Sequence, residues 1–136
     1  MRSPKTNLEM IKSTYEGASS SENAQNLLTA LSKHIEWTEA EGSPYGGTYI
    51  GVEAVIKNVF NRIDSEWIDF KAHVNSYHEV KDKNIIIAEG TYSGTYKETG
   101  KIFQADFVHV WELEYEKIVK FKQYVDSYTI QMATVD

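Results

Sequence analysis

Four long strand-like runs fill the second half of the chain and limit its fold more than any other feature. They extend from Trp67 to Val80, Asn84 to Tyr96, Ile102 to Glu114 and Ile118 to Ile130. The turns between them are short: Lys81-Asp82-Lys83, Lys97-Glu98-Thr99-Gly100-Lys101 and Glu116-Lys117. Connections of this length join antiparallel neighbours, because a parallel pair needs a crossover of about a dozen residues. The sequence therefore predicts an antiparallel meander. Upstream, the period changes to that of helices. Pro4 after Ser3 fits a cap and first helical position, with Leu8, Ile11 and Tyr15 following at helical spacing. Gly17 breaks that helix, and Ser21 with Glu22 starts a second one carrying Ala24, Leu27, Leu28 and Leu31. His34 to Glu39 reads as a short strand. Glu41 to Thr48 is rich in Gly, Ser and Pro and reads as a loop, a candidate lid. The third helix is the clearest, with Val52, Val55, Ile56, Val59, Phe60 and Ile63 at i, i+3, i+4, i+7, i+8 and i+11. Helices first and consecutive strands afterwards define an α+β class, with the helices on one face of a curved sheet and a pocket between the layers. Ala88, Gly90, Tyr92, Gly94 and Tyr96 share one strand face, and the glycines either allow sheet bending, the preferred reading, or let another group approach closely.

Composition narrows the function classes. The 136 residues fit a single domain spanning 1–136, with a net charge of −6 and only two arginines, Arg2 and Arg62. No basic footprint for a phosphate backbone exists, so nucleic acid is not an expected partner. Without cysteine there are no disulfides, thiol nucleophiles or thiolate metal sites. No run has the length of a membrane span and the N-terminus lacks a signal-peptide core, which predicts a soluble cytoplasmic protein with no membrane partner. His73 and His78 are five apart and face opposite ways on a regular strand, and no phosphate-loop or dinucleotide motif is present, so neither a metal nor a cofactor is expected.

Chemistry is concentrated in Phe103 to Trp111. Read with a period of two, Phe103, Ala105, Phe107, His109 and Trp111 share one face, an aromatic stripe with one titratable ring. If Glu116-Lys117 is the hairpin turn, Tyr115 faces Ile118 and Asp126 lies opposite Phe107, a diagonal neighbour of His109 at roughly 7 to 8 Å. Phe121 and Asp126 are five apart, so a β-bulge near Lys122-Gln123 is needed for Phe121, Tyr124 and Asp126 to share the pocket face. The expected pocket wall comprises Trp37, Phe60, Trp67, Tyr92, Phe103, Phe107, Trp111, Phe121 and Tyr124. On the opposite face, Val108, Val110, Ile85, Ile87 and Ile118 form an apolar outer patch that invites a partner.

Several segments carry a family resemblance. They are Trp37 to Gly42, Gly47 to Val55, Phe107 to Trp111 and Phe121 to Asp126, in this order of elements. They resemble the SnoaL-like polyketide cyclases and ketosteroid-isomerase-related proteins of the nuclear-transport-factor-two-like superfamily. The resemblance implies a cone-shaped α+β fold with three N-terminal helices, commonly a homodimer through the outer sheet face. It implies that Asp126 is the acid/base aspartate of the cyclases, with His109 as its companion. By loose spacing Glu39 falls near the general-base carboxylate of the steroid isomerases, and Tyr15 where they keep a hydrogen-bonding tyrosine. Two departures are evident: Val108 replaces a protonated aspartic acid of the isomerases, and Arg62 on the third helix is the only arginine available for the Asp-Arg-Asp arrangement of the epoxide hydrolases.

The chemistry expected is proton transfer at a carbon α to a carbonyl, on an apolar, polyketide- or steroid-like substrate. Asp126 is the first choice for the base, its pKa raised by aromatic neighbours, with His109 and Glu39 as the other candidates and Tyr15 or Tyr92 assisting. The alternative is a non-catalytic ligand-binding or dimerisation module, in which His109 is a core residue.

Overall fold

The computed structural model describes residues 5–136. Helix α1 (Asn7–Ser13) begins under a capping box in which Thr6 and Glu9 exchange side-chain to backbone hydrogen bonds. The start expected at Ser3-Pro4 lies outside the described residues. Helix α2 (Ser20–Ala30) is capped by Ser19 and runs directly into β1 (Leu31–Glu39). Strand β2 (Gly47–Ile50) begins inside the expected loop and pairs with β1. Helix α3 occupies 52–66, with a π-helical turn at Ile56–Phe60 between two α-helical segments. The meander follows as β3 (Trp67–Val80), β4 (Ile85–Tyr96), β5 (Ile102–Glu114) and β6 (Lys117–Val125). The chain after Val125 is not strand, as its alternation suggests, but helix α4 (Ser127–Ala133). No helix among the described residues is long and apolar enough to cross a membrane.

One six-stranded sheet in the order β2-β1-β6-β5-β4-β3 holds these elements, with β1 parallel to β6 and the other pairs antiparallel. The sheet curves because β3 carries extra residues. Its register against β4 shifts between Ile68 and Lys71 and again between Val74 and Ser76. The glycines of β4 sit against these bulges. A Cβ at Gly90 would lie 2.0 Å from the His73 carbonyl oxygen, and one at Gly94 would lie 3.2 Å from Phe70 Cα. Both glycines leave room for the bulged backbone of β3, so the close approach that the sequence allows as an alternative to bending is what these positions accommodate.

Two apolar clusters fill the concave side. One joins Ile11, Ile35, Trp37, Val55, Val59, Trp111, Leu113, Ile118 and Phe121, and the other joins Trp67, Tyr92, Phe103, Phe107, Ile130 and Ala133. Tyr15 and Ile63 pack against both.

The β5–β6 hairpin corrects the expected register. Its two-residue turn is Tyr115-Glu116, with Glu114 opposite Lys117, and both turn residues have positive φ (49° and 64°). That backbone is the left-handed pair a tight hairpin favours, usually supplied by Asn or Gly, so Tyr-Glu gives no sequence signal. The bulge lies between Glu112 and Leu113, not near Lys122-Gln123, and from there Phe107 pairs with Val125 rather than Asp126. A slip of one residue exchanges the faces of a strand. Tyr124, paired with Val108, is therefore turned outward and 50% exposed, while Ile118 lies opposite the inward-facing Leu113 and is fully buried instead of joining the outer patch. The outward face retains Ile85, Ile87, Val108 and Val110, all half-buried, beside Glu112, Lys120 and Lys122.

Candidate functional site

Alternation along β5 turns Phe103, Ala105, Phe107, His109 and Trp111 inward, and all five are buried. Directly across from His109 on β6 is Gln123, and across from Trp111 is Phe121. Strand β1 lies beside β6 with Trp37 opposite Phe121, which carries Glu39, two residues on, to the same face. Helix α3, the segment after α1 and Ile130 of α4 close the other sides around a cavity of about 390 Å³.

Five polar side chains meet in this apolar chamber. Tyr15 Oη is 2.5 Å from His109 Nδ1, and Tyr92 Oη is 2.5 Å from His109 Nε2. Trp111 Nε1 donates to Tyr15 Oη at 2.9 Å, and Gln123 Nε2 donates to Tyr92 Oη at 2.8 Å. The Gln123 carbonyl oxygen accepts the Ala40 N–H at 3.1 Å, which fixes the amide's orientation. Glu39 accepts from Trp37 Nε1 at 3.0 Å. The His109 ring stacks on Phe107 at 4.1 Å between centroids and meets Phe121 edge-on at 4.8 Å.

Burial sets the charge states. It pushes the Glu39 carboxyl up from 4.5 to about 7, against the opposing hydrogen bonds from Trp37 and Gln123. It pushes His109 down from 6.5 to about 3, so the ring is neutral at pH 7. Burial also raises Tyr15 and Tyr92 well above the usual tyrosine value, and both phenols stay protonated.

Of the expected site residues, the structure brings Tyr15, Glu39, His109, Trp37, Phe60, Tyr92, Trp111 and Phe121 to the cavity. Tyr15 does so from just beyond α1 rather than on it. Trp67, Phe103 and Phe107 stand behind the wall as packing. Asp126 is not in the chamber. It is exposed at the N-cap of α4, where its carboxylate accepts the Thr129 N–H at 3.1 Å and the Thr129 hydroxyl at 2.6 Å. Those bonds hold its pKa below the usual aspartate value, the reverse of the expected rise. Tyr124 points away with the outer face.

Gln123 is the residue that sequence reasoning missed, although strict alternation from Phe121 places it inward. Tyr45 is another. Its hydroxyl donates to Glu66 Oε1 at 2.7 Å and accepts from Trp67 Nε1 at 2.9 Å, while the Arg62 guanidinium lies 4.5 Å from its ring centroid. These contacts pin the candidate lid onto α3, with Ser43, Pro44 and Tyr45 facing the cavity. Among the described residues no three His, Asp or Glu side chains converge as a metal site would require.

Residues 11–121 match the SnoaL-like domain family, and the chain belongs to it. Among solved structures, an NTF2-like protein from Burkholderia thailandensis is 32% identical, covering 98% of this chain and 100% of that one with a TM-score of 0.89. An NTF2-like protein of unknown function from Burkholderia pseudomallei is 26% identical over 97% and 100% of the two chains, with a TM-score of 0.82. TerC, co-crystallized with polyporic acid, shares the fold at 22% identity, 93% and 96% coverage and a TM-score of 0.79. Among curated protein sequences none matches significantly.

The two shifted groups act oppositely on stability. Between pH 4.5 and 7 the folded protein keeps a proton on Glu39 that the unfolded chain has lost, so stability falls as pH rises, by about 3 kcal/mol in all. Between pH 6.5 and 3 the unfolded chain binds a proton that folded His109 refuses, so stability falls as pH drops. Where the windows overlap the two slopes cancel. Urea unfolding of the native protein is expected to vary little between pH 4.5 and 6.5. Glu39→Gln is expected to gain stability steadily with pH across that range and to exceed the native protein above pH 7. Parallel curves for the two proteins would contradict the assignment.

Proposed function

We propose that this SnoaL-like protein is a cofactor-independent acid/base enzyme of isomerase or cyclase type, with Glu39 rather than Asp126 as the base. The observation that carries the reading is a carboxylate held in an apolar chamber by Trp37, with a pKa near 7, alongside neutral tyrosine hydroxyls. A base poised near neutrality balances availability against strength. In the proposed step Glu39 takes a proton from the carbon α to a substrate carbonyl, charge develops on the carbonyl oxygen, and a phenolic O–H donates to it. Glu39 then returns the proton to the same or another carbon, and no electrons are gained or lost. His109 is a poor choice of base because burial holds its pKa down at about 3, which makes the ring weakly basic, and both of its nitrogens are already engaged. The substrate class suggested is an apolar ketone or polyketide-like ester small enough for the cavity.

The same complete engagement of His109 favours a second reading, a ligand-binding cup without turnover. Exchange of α-protons in D2O separates the two. With 2-acetylnaphthalene as the test ketone, kcat/KM for exchange is expected to rise with pH through about 7 and then level, because only ionised Glu39 is a base. Glu39→Gln is expected to lower it by roughly 10²- to 10⁴-fold, the usual scale of general-base catalysis. Asp126→Asn is expected to leave it unchanged. Binding with no exchange would support the cup, and loss on Asp126→Asn would overturn the choice of base.

The homodimer expected from the sequence belongs with this reading, paired through the outward face of β4 and β5, where Ile85, Ile87, Val108 and Val110 form the apolar centre. Light scattering is expected to give twice the chain mass of 15.6 kDa, and a concentration-independent monomer would remove the claim.

A further inference from the structure

The hydrogen bonds around His109 limit what the cavity accepts. A neutral imidazole has one N–H donor and one bare acceptor nitrogen. Both nitrogens of His109 have a phenol oxygen at 2.5 Å, Tyr15 at Nδ1 and Tyr92 at Nε2. The other partner of each phenol is only a donor: the indole N–H of Trp111 to Tyr15, and the amide N–H of Gln123 to Tyr92. The Gln123 amide cannot be reversed to offer its oxygen, because that oxygen holds the Ala40 N–H. Neither phenol can therefore place its proton on Trp111 or Gln123.

One phenol gives its proton to the bare nitrogen of His109. The other receives the His109 N–H in addition to its indole or amide donor, and its own proton is left over. Among the described residues, neither hydroxyl has a further acceptor within hydrogen-bond distance. Both tyrosines border the cavity. A hydroxyl proton without a partner in an apolar chamber is costly, and a ligand oxygen relieves that cost.

We infer that His109 is a positioning residue that allots the protons of Tyr15 and Tyr92, leaving one phenolic O–H to be donated to a carbonyl or enolate oxygen of the ligand. The ring has two neutral forms, and each offers the proton from a different side: Tyr15 when Nδ1 carries the hydrogen, Tyr92 when Nε2 does. The ligand's oxygen selects the form. This deepens the function proposed above by specifying the group that the substrate must present, and it rests on that reading only for the ligand's place in the same cavity.

The test uses binding and nuclear magnetic resonance without turnover. The first comparison is 2-acetylnaphthalene against 2-ethylnaphthalene, which have similar bulk but differ in the acceptor oxygen. The ketone is expected to bind about fivefold or more tightly to the native protein, the scale of one net hydrogen bond, and the preference is expected to vanish in Tyr15→Phe/Tyr92→Phe. Long-range ¹⁵N–¹H spectra of the native protein are expected to show His109 as a neutral ring at pH 7. With the ketone bound, Tyr15→Phe is expected to hold the hydrogen on Nε2 and Tyr92→Phe to hold it on Nδ1. A merely structural histidine has no reason to reverse its tautomer between the two variants. Equal affinities for the two naphthalenes, no binding of the ketone, an imidazolium at pH 7, or the same tautomer in both variants would each overturn the inference. Repeating the affinity comparison in Glu39→Gln keeps the two claims apart. An intact ketone preference there, with proton exchange also undiminished, refutes the base and leaves the proton allotment standing.

Discussion

The hydrogen-bonded chain Trp111–Tyr15–His109–Tyr92–Gln123 is the interaction on which the rest of the site depends. It joins the end of α1 to β5, crosses to β4 and returns to β6, so one polar thread holds the helical layer over the concave sheet. Every link is buried or half-buried, which makes a missing partner expensive and a complete set rigidifying. Glu39 sits at the end of this thread beside Gln123 and takes no part in the sharing of protons among Tyr15, His109 and Tyr92. Its indole partner, Trp37, is stacked on Phe121 at 3.9 Å between centroids, so the carboxylate is oriented by an aromatic wall and not by a counter-charge.

That arrangement costs stability at neutral pH, and the proposed role of Glu39 as a base would account for it. A carboxylate paired with arginine or lysine would stabilise the fold at neutral pH, but its lowered pKa would make it a feeble base. The only arginine among the described residues, Arg62, is instead bound to Glu66 and packed on Tyr45, where it holds down the segment leading into β2. Charge neutralisation is thus used at the rim and withheld from the chamber. The sheet's curvature also shapes the chamber. Bulges in β3 against Gly90 and Gly94 bend the sheet, and the bend makes room for a chamber between the two apolar clusters.

Much of the fold was legible in the sequence because its signals are periodic. The apolar face of α3, the inward stripe of β5 and the glycine-bearing face of β4 follow from spacing alone, and the three long strands up to Glu114 lie within a residue of their expected limits. The site was harder to read because it depends on register. A Tyr-Glu turn in left-handed conformation and a bulge at Glu112-Leu113 carry no compositional mark, and together they exchange Asp126 for Gln123 as the inward partner. Asp126 also had a local use that spacing does not distinguish from catalysis, since Asp followed three residues later by Thr129 is an ordinary helix cap. Glu39 and Tyr15 were found through family resemblance. Their connection to His109 and Gln123 required three dimensions.

The proposed reaction requires Glu39 to be a buried carboxylate without a counter-charge, poised near neutral pH. The most direct measurement is a ¹³C resonance titration of its side-chain carboxyl in the ligand-free protein, assigned by comparison with Glu39→Gln. An apparent pKa near 7 is expected. A carboxyl that titrates near 4.5, as an exposed glutamate does, would contradict it and remove the base from the proposed reaction.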